Sequence, residues 1–225
     1  MKYSDIYRLY STSQPKDAIH QALREVSVDD SDEQYEDRSP LHLACQYGDT
    51  EGVKILLERD AEPNTKDANG STPIHILGRT SAGCADEDKL KEIAVVLMEH
   101  GANIPRSAKN TTALIECVRN RHFKMAEAII NSGTRVNSTD LNGENVLFGF
   151  CAASGDIRRD IRFAKKELDE SVQYSYPENK IEEIRSRIAR LEDDGEAAYR
   201  LARRLVEEDK VDPEDKSNSG KTAWD

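Results

Sequence analysis

The sequence predicts an all-α fold built from stacked helix-turn-helix units, which is a repeat solenoid. Three observations predict it: a short apolar phrase recurs at a nearly constant interval, a second apolar pair follows each copy, and turn signals precede several copies. The turn signals are "DANG" (67–70), "DLNG" (140–143) and "SNSG" (217–220). One such unit cannot bury its apolar face alone, so the units are expected to stack into one continuous core.

The recurring phrase marks the start of the first helix in each unit. It reads "SPLHLAC", "TPIHILG", "TALIECV" and "NVLFGFC", and its copies begin at Ser39, Thr72, Thr112 and Asn145. The intervals between these starts are 33, 40 and 33 residues, and a further start at Thr222 follows after 77 residues. The second apolar pairs, which predict the second helices, are Leu56-Leu57, Leu97-Met98, Ile129-Ile130 and Leu205-Val206.

Composition excludes several classes of function. The net charge of −11 makes nucleic acid and anionic membrane surfaces poor partners for the whole molecule. No apolar stretch approaches the roughly 18 residues of a membrane span. The start, "MKYSDIYRLYSTSQPKD", lacks the apolar core of a signal peptide. We therefore expect an intracellular, cytoplasmic protein.

Catalytic and metal-binding chemistry is not expected. The sequence contains no GxSxG, HExxH, Walker or GxGxxG motif, which predicts no enzyme activity, no catalytic residue and no cofactor. The cysteines form no CxxC pair and no metal-ligand spacing. Their positions predict reduced thiols, mostly buried in helices: Cys45, Cys84, Cys117 and Cys151.

The recurring phrase, the interval between its copies and the residues that follow the second helix together resemble the ankyrin repeat. The stretch "DANGSTPIHIL", the 33-residue interval and the tail "LLERDAEPN" carry this resemblance, which covers about residues 36–225 apart from insertions. It implies an ankyrin-repeat solenoid in which the histidine of the phrase forms hydrogen bonds that link adjacent repeats. His42 and His75 occupy that position, whereas Ile115 and Phe148 replace it later. The histidine links are therefore expected to stop after the second repeat.

The chain divides into repeats with two insertions. The predicted boundaries are a degenerate N-terminal capping repeat (1–35), repeat one (36–66), repeat two with a loop insertion (67–106), repeat three (107–139), repeat four (140–216) and the start of a truncated fifth repeat (217–225). At the last of these, Trp224 either lies over the open face of repeat four or belongs to a repeat that continues past Asp225.

Repeat four carries the larger insertion, at about 157–195. Its apolar residues recur at helical spacing in two runs, which predicts an antiparallel helical hairpin projecting about 25 Å from the stack. The first run is Ile157, Ile161, Ala164, Leu168 and Val172, and the second is Ile181, Ile184, Ile188 and Leu191. "YSYPEN" (174–179) separates the two helices.

The resemblance implies a protein-protein interaction module that binds through its turn tips and the concave face of its first helices. Mapped by position, the candidate partner-binding residues on the first helices are Gln46, Tyr47, Arg79, Arg119 and Asn120, and those at the tips are Tyr35, Arg38, Asn69, Ser71, Lys109, Thr111, Asn142 and Glu144. Three arginines of this set (38, 79 and 119) would form a positive stripe that binds an acidic segment; an ordinary solvated face is the alternative.

Two further functions remain open. The hairpin exposes Tyr174 and Tyr176 in its predicted loop, so it offers a binding or dimerisation surface for a homo-oligomeric scaffold. Alternatively, the chain is the regulatory or targeting part of a larger protein. A monomer is the first expectation, with a hairpin-mediated dimer as the alternative.

Overall fold

The computed structural model describes residues 2–80, 86–104, 112–134, 136–174, 177–209 and 211–224. Within these ranges the chain forms helices, turns and no strand, which confirms the all-α prediction. The helices are α1 (Tyr3–Ser11), α2 (Lys16–Glu25), α3 (Pro40–Gln46), α4 (Thr50–Glu58), α5 (Pro73–Gly78), α6 (Glu87–Glu99), α7 (Ala113–Arg119), α8 (Phe123–Asn131), α9 (Val146–Gln173) and α10 (Glu178–Glu207), with a 3₁₀ turn at Glu33–Tyr35.

Each first helix begins directly after its predicted start. Ser39, Thr72, Thr112 and Asn145 are the N-cap residues of α3, α5, α7 and α9. Two of these helices have proline as their first residue, where the missing N–H would in any case lack a helical acceptor. We propose the repeat boundaries given above on the strength of these helix starts.

Helix pairs stack in chain order. The first helices α3, α5, α7 and α9 pack successively against one another, and α2, α4, α6 and α8 form a second row behind them. A single apolar cluster runs through the stack, from Tyr3 in α1 to Ala223 near the C-terminal turn. Cys45 and Cys117 lie in this cluster as fully buried free thiols, and burial raises the pKa of each. Cys151 is half-buried, and Cys84 lies outside the described residues.

A buried histidine links the first repeat to the second, as predicted. The backbone N–H of Ser39 donates to His42 Nδ1 at 3.1 Å, so the opposite ring nitrogen carries the proton. His42 Nε2 donates to the carbonyl oxygen of Ser71 at 3.0 Å, across the repeat boundary. His75 repeats the local half of this arrangement, because its Nδ1 accepts from the Thr72 N–H at 3.3 Å.

In the later repeats, which lack the histidine, the side chain of the N-cap residue bonds to the start of the first helix. Thr112 Oγ1 accepts from the N–H of Ile115 at 3.3 Å, which is a side-chain N-cap. Asn145 combines the cap and the link: its Oδ1 accepts from Leu147 N–H at 3.0 Å and its Nδ2 donates to the Asp212 carbonyl at 3.3 Å. Asn145 therefore connects the start of the fourth repeat to the segment that follows α10, although the histidine is absent.

The insertion forms the predicted antiparallel hairpin. α9 has 28 residues and α10 has 30, compared with seven in α7, and the two long helices pack against each other. Ala164, Ile184 and Ile188 form a buried cluster in the part that leaves the stack. The prediction is wrong for Val172, which is 55% exposed, and Ser171 is buried in its place. Steps of four, three, four and three residues keep the seam facing its partner, whereas a second four-residue step rotates Val172 away.

None of the helices in the described part of the chain combines the length and the apolar character needed to cross a membrane.

The N-terminal helices are joined to the first repeat through Asp49. This buried carboxylate accepts a hydrogen bond from Tyr10 Oη at 2.7 Å and one from His20 Nε2 at 3.0 Å. Arg59 adds a second link, because its Nη1 donates to the carbonyl oxygens of Leu23 and Val26 at 2.6 and 2.8 Å. The capping helices are thus attached by polar contacts as well as by apolar burial.

Replacing Gly52 by alanine is expected to loosen this attachment. A Cβ there would lie 2.6 Å from Asp49 Oδ2 and 2.9 Å from Tyr10 Oη, so the network must shift at a cost of about 1–3 kcal/mol. Gly155→Ala in α9 is the matched control: its Cβ meets nothing within 4 Å, and removing a mid-helix glycine should stabilise by about 0.5–1 kcal/mol. Urea unfolding should show a lower free energy of unfolding for Gly52→Ala and a higher one for Gly155→Ala. Equal effects would contradict the close packing at Gly52.

Burial of His42 should make stability depend on pH. Burial lowers the pKa of His42 from its ordinary 6.5, so the unfolded chain binds a proton there at a pH at which the folded chain does not. Stability from this group is therefore complete above about pH 7.5 and falls by at most about 1.4 kcal/mol by pH 5.5. We expect His42→Gln to flatten the pH profile of the unfolding free energy by that amount. His100→Gln, at an exposed position, controls for the loss of one histidine; an unchanged profile in His42→Gln would contradict the assignment.

Candidate protein-binding surface

The candidate surface lies along the C-terminal ends of α3, α5 and α7 and the turns that precede these helices. We call it the first-helix surface. It includes predicted residues from three repeats, which stacking places in a row: Gln46, Tyr47, Arg79, Arg119 and Asn120. Its N-terminal part is aromatic and the rest is charged.

Five tyrosines form a cluster at the N-terminal end of this surface: Tyr3, Tyr7, Tyr10, Tyr35 and Tyr47. The ring of Tyr35 lies 4.3 Å from that of Tyr7 and 5.7 Å from that of Tyr3, measured between centroids. Tyr47 stacks on Tyr10 at 4.8 Å with an interplanar angle of 12°. Tyr3 and Tyr10 are buried, whereas Tyr47 is 41% exposed. The buried rings therefore hold the accessible rings in place.

Sequence reasoning identified only two members of this tyrosine cluster, Tyr35 and Tyr47. Tyr3, Tyr7 and Tyr10 lie in the segment interpreted as a cap, and their spacing of four and three residues puts them on one face of α1. That spacing is the feature of the sequence that could have indicated a shared tyrosine face. The contact between this face and the turn at Glu33–Tyr35 depends on the tertiary fold.

Three hydroxyls of the cluster, those of Tyr3, Tyr10 and Tyr47, have a raised pKa and are neutral. Burial raises the pKa of Tyr3 and of Tyr10, and the neighbouring Asp49 charge raises that of Tyr10 further. Burial, with a smaller contribution from Tyr7, raises the pKa of Tyr47. At these three positions the tyrosine cluster presents aromatic rings with O–H groups that can donate a hydrogen bond.

In the second and third repeats, each arginine of the predicted stripe contacts a carboxylate of the following repeat. Arg79 donates through Nε and Nη2 to Glu116 Oε1, both at 3.1 Å. Arg119 donates through Nη2 to Asp140 Oδ2 at 2.6 Å and to Glu144 Oε2 at 3.0 Å. Although burial opposes ionisation, hydrogen bonds from Arg119 and from two backbone N–H groups hold the pKa of Asp140 below its usual value.

Arg38 follows the same pattern at the first boundary. It donates to Glu36 Oε2 at 2.5 Å and to Gln46 Oε1 at 2.8 Å, and its Nε lies 3.7 Å from Asp67 Oδ2 in the next turn. The three guanidinium groups therefore form an inter-repeat ladder with acidic side chains. An acidic partner segment would have to displace those carboxylates before it could bind the stripe.

The remaining predicted residues differ in accessibility. Ser71 is fully buried and its Oγ accepts from Arg79 Nη1 at 2.9 Å, so it supports the ladder and cannot line a binding surface. Asn120 Nδ2 donates to the Gly78 carbonyl at 3.1 Å, and Asn69 is half-buried. The Asn142 carbonyl accepts from Asn218 N–H at 2.7 Å, which links two turns. Lys109, Thr111 and Tyr176 lie outside the described residues.

Two exposed side chains lie away from the tyrosine cluster. Tyr174 is 66% exposed at the far end of the hairpin, where the sequence placed it. Leu141, which the sequence reasoning missed, is 62% exposed at the tip of the turn before α9. Neither contacts the first-helix surface residues named above through a ring contact or hydrogen bond of its side chain.

Comparison with known proteins agrees with this architecture. Residues 23–77, which include α3, α4 and most of α5, match the family model of ankyrin repeats (many copies). The chain therefore contains ankyrin repeats. Ankyrin repeats generally act as protein-protein interaction modules.

Known ankyrin-repeat proteins match parts of the chain. A Caenorhabditis elegans homolog of transient receptor potential cation channel subfamily A member 1 is 46% identical over 48 residues, which is 21% of this chain and 4% of that protein. The human channel of that name is 34% identical over 85 residues, 36% of this chain and 7% of its own. Neurogenic locus notch homolog protein 1 of Mus musculus is 31% identical over 134 residues, 59% of this chain and 5% of that protein. The chain thus spans only a small fraction of the length of these relatives.

The Arg79–Glu116 contact should couple adjacent ankyrin repeats. Both side chains are mostly buried, at 24% and 15% exposure, so a double-mutant cycle with Arg79→Met and Glu116→Gln is expected to give a coupling of about 1–2 kcal/mol. Lys54–Glu92 is the matched control, since it also joins adjacent repeats but is exposed, and its coupling should be smaller and fall with added salt. Equal couplings in unfolding experiments would refute a structural role for the arginine ladder.

Proposed function

We propose that this ankyrin-repeat chain is a non-catalytic protein-binding module whose partner docks on the first-helix surface and contacts chiefly the tyrosine cluster. The observation that carries the proposal is the pairing of buried with exposed tyrosine rings at one end of that surface. We also propose a cytoplasmic location, which suits its free thiols and acidic charge.

The tyrosine cluster has the chemistry of an interface anchor. Tyrosine is enriched among residues whose truncation costs most binding energy, because its ring buries a large apolar area while its hydroxyl forms a hydrogen bond. Tyr47 rests on a buried ring, so it loses little side-chain freedom when a partner covers it. Preorganisation of this kind favours binding.

Polar groups beside the cluster would orient the partner. Arg38 and Gln46 are bonded to each other next to Tyr47, and both keep some accessible surface. Farther along, the arginine ladder offers both signs of charge in fixed positions, which is typical of the polar rim of an interface. The partner that fits is a segment with an apolar or aromatic anchor for the tyrosines and polar groups along its length. Since the arginines are already paired, a purely acidic segment fits less well.

The hairpin is the competing surface. Phe163 and Tyr174 are 63% and 66% exposed on it, so it offers apolar contact area outside the stack. Its main apolar seam, however, is already used to pack α9 against α10. We therefore assign the partner to the first-helix surface.

Tyr47→Ser should abolish or strongly reduce capture of the partner. We would compare three baits in lysate of the cells that make the protein: the unmodified chain, Tyr47→Ser and Tyr174→Ser. The expected result is a protein retained by the first and third baits and lost from the second, because only the second removes a tyrosine of the cluster.

Tyr174→Ser is the matched control, as it removes a more exposed tyrosine from the hairpin. Circular dichroism would verify that both variants keep their helix content. Loss with Tyr174→Ser alone would move the binding site to the hairpin. Retention by all three baits would reject the tyrosine cluster as the anchor.

A further inference from the structure

The segment that leads into the first repeat, residues 28–38, is strongly acidic, and we call it the acidic segment. It contains one cation, Arg38, and six carboxylates, which belong to Asp29, Asp30, Asp32, Glu33, Glu36 and Asp37. The turn at Glu33–Tyr35 lies within it, so its carboxylates stand on both sides of one ring of the tyrosine cluster. A concentration of negative charge therefore adjoins the aromatic surface.

Contacts hold the acidic segment against α1, the helix that carries three rings of the tyrosine cluster. Asp30 Oδ2 accepts a hydrogen bond from the backbone N–H of Tyr3 at 2.7 Å. Tyr35 lies against the ring of Tyr7, with 4.3 Å between centroids. The charge of Asp32 also acts on the Tyr3 hydroxyl. Rings and carboxylates thus form one continuous surface.

Most of the negative charge of the acidic segment is not balanced within the chain. Asp30 and Asp32 accept from backbone N–H groups, which leaves their charge in place. Glu36 forms an ion pair with Arg38. Three other carboxylates of the segment form no hydrogen bond and no ion pair with the described residues: Asp29, Glu33 and Asp37.

These carboxylates are spread along the segment and do not converge on one point. In the described part of the chain, no group of three or more His, Cys, Asp or Glu residues could hold a metal ion. Arg8, the one cation in α1, lies 3.6 Å from Asp5 of the same helix. The acidic segment therefore suits cationic side chains of another molecule, which can reach several separate carboxylates.

The tyrosine rings beside the acidic segment suit the same kind of ligand. A cation is attracted to the face of an aromatic ring, and arginine is the protein cation most often found there. Tyr47 is 41% exposed and Tyr10 covers one of its faces, which leaves the opposite face to solvent. Tyr3 Oη is buried and has no hydrogen-bond partner among the described residues, whereas a guanidinium offers five N–H donors.

We infer that the partner segment bound by the tyrosine cluster is basic. An arginine side chain of the partner lies on the exposed face of Tyr47, and further arginine or lysine side chains lie against the acidic segment. This inference rests on the proposed function and adds the charge of the partner to it. Attraction by the acidic segment also speeds association and makes binding depend on salt.

Segments of other chemistry fit this surface less well. An acidic segment would be repelled by the unpaired carboxylates. An uncharged apolar segment would remove water from those carboxylates without supplying an opposite charge, which is costly. Arg38 does not alter this balance, because it is already bonded to Glu36 and Gln46.

A library of short random peptides tests the charge of the partner directly. Peptides would be selected for binding to the full chain, and their composition would be compared with that of the unselected library. We expect enrichment of arginine and lysine. The selected peptides should bind the Tyr47→Ser chain weakly or not at all, because that variant removes the exposed ring.

Removing charge from the acidic segment should weaken the selected peptides. The acidic-segment variant combines Asp29→Asn, Glu33→Gln and Asp37→Asn. We expect the Kd of a labelled peptide, measured by fluorescence anisotropy, to rise about tenfold in this variant and by less at high salt. Circular dichroism would verify that the variant is folded.

A hairpin variant with the same change in net charge is the matched control. It combines three substitutions at exposed carboxylates that form no ion pair with described residues: Asp169→Asn, Glu183→Gln and Asp193→Asn. Because these positions lie outside the acidic segment, the Kd should stay within about twofold of that of the unmodified chain.

Three results would overturn the inference. One is enrichment of uncharged or acidic peptides that still require Tyr47, which would keep the proposed binding surface and reject its basic partner. Another is equal weakening by both triple variants, which would reduce the effect to the net charge of the whole molecule. The third is a library from which no peptide is enriched. The proposed function itself fails differently, when the selected peptides bind Tyr47→Ser as tightly as the unmodified chain.

Discussion

The apolar face of each helix pair in this protein is covered by the neighbouring pair, and this contact supports everything else in the structure. A single pair buries too little surface to offset the entropy of ordering its residues. Stacking converts several such faces into one cluster that extends from Tyr3 to Ala223. This cluster stabilises the fold, and the stacking also determines which side chains are buried between repeats and which remain exposed.

Polar groups at the repeat boundaries determine how one pair sits on the next. His42 joins the start of α3 to the following turn, and Asn145 provides a similar connection in the fourth repeat. The arginine ladder adds charge-assisted contacts along the first-helix surface. Since a buried polar group without a partner is costly, these contacts penalise any shift of one repeat relative to another. The arginines that the sequence predicted to bind an acidic partner therefore form ion pairs within the chain.

The large exposed aromatic side chains lie where the regular stacking of helix pairs stops. At the N-terminal end, the helix pair α1–α2 covers the first repeat, and α1 places its tyrosines against it. In the fourth repeat, α9 and α10 lengthen into a hairpin that carries Phe163, Tyr174 and Tyr199. Interior repeats use their apolar side chains on each other, so exposed aromatic rings concentrate at the ends.

The sequence by itself determined the repeat fold, because periodic apolar residues, N-cap residues and turn glycines act locally and leave a readable spacing. It placed all four first helices at Ser39, Thr72, Thr112 and Asn145, and it predicted the hairpin from the seam of Ile157, Ala164 and Ile184. Only the tertiary structure decided how distant side chains meet. It buried Ser71, turned Val172 to solvent, paired Arg79 with Glu116, and brought α1 to Tyr35 and Tyr47. These contacts join residues as much as 37 positions apart, and their geometry depends on how whole helices pack, which no local spacing encodes.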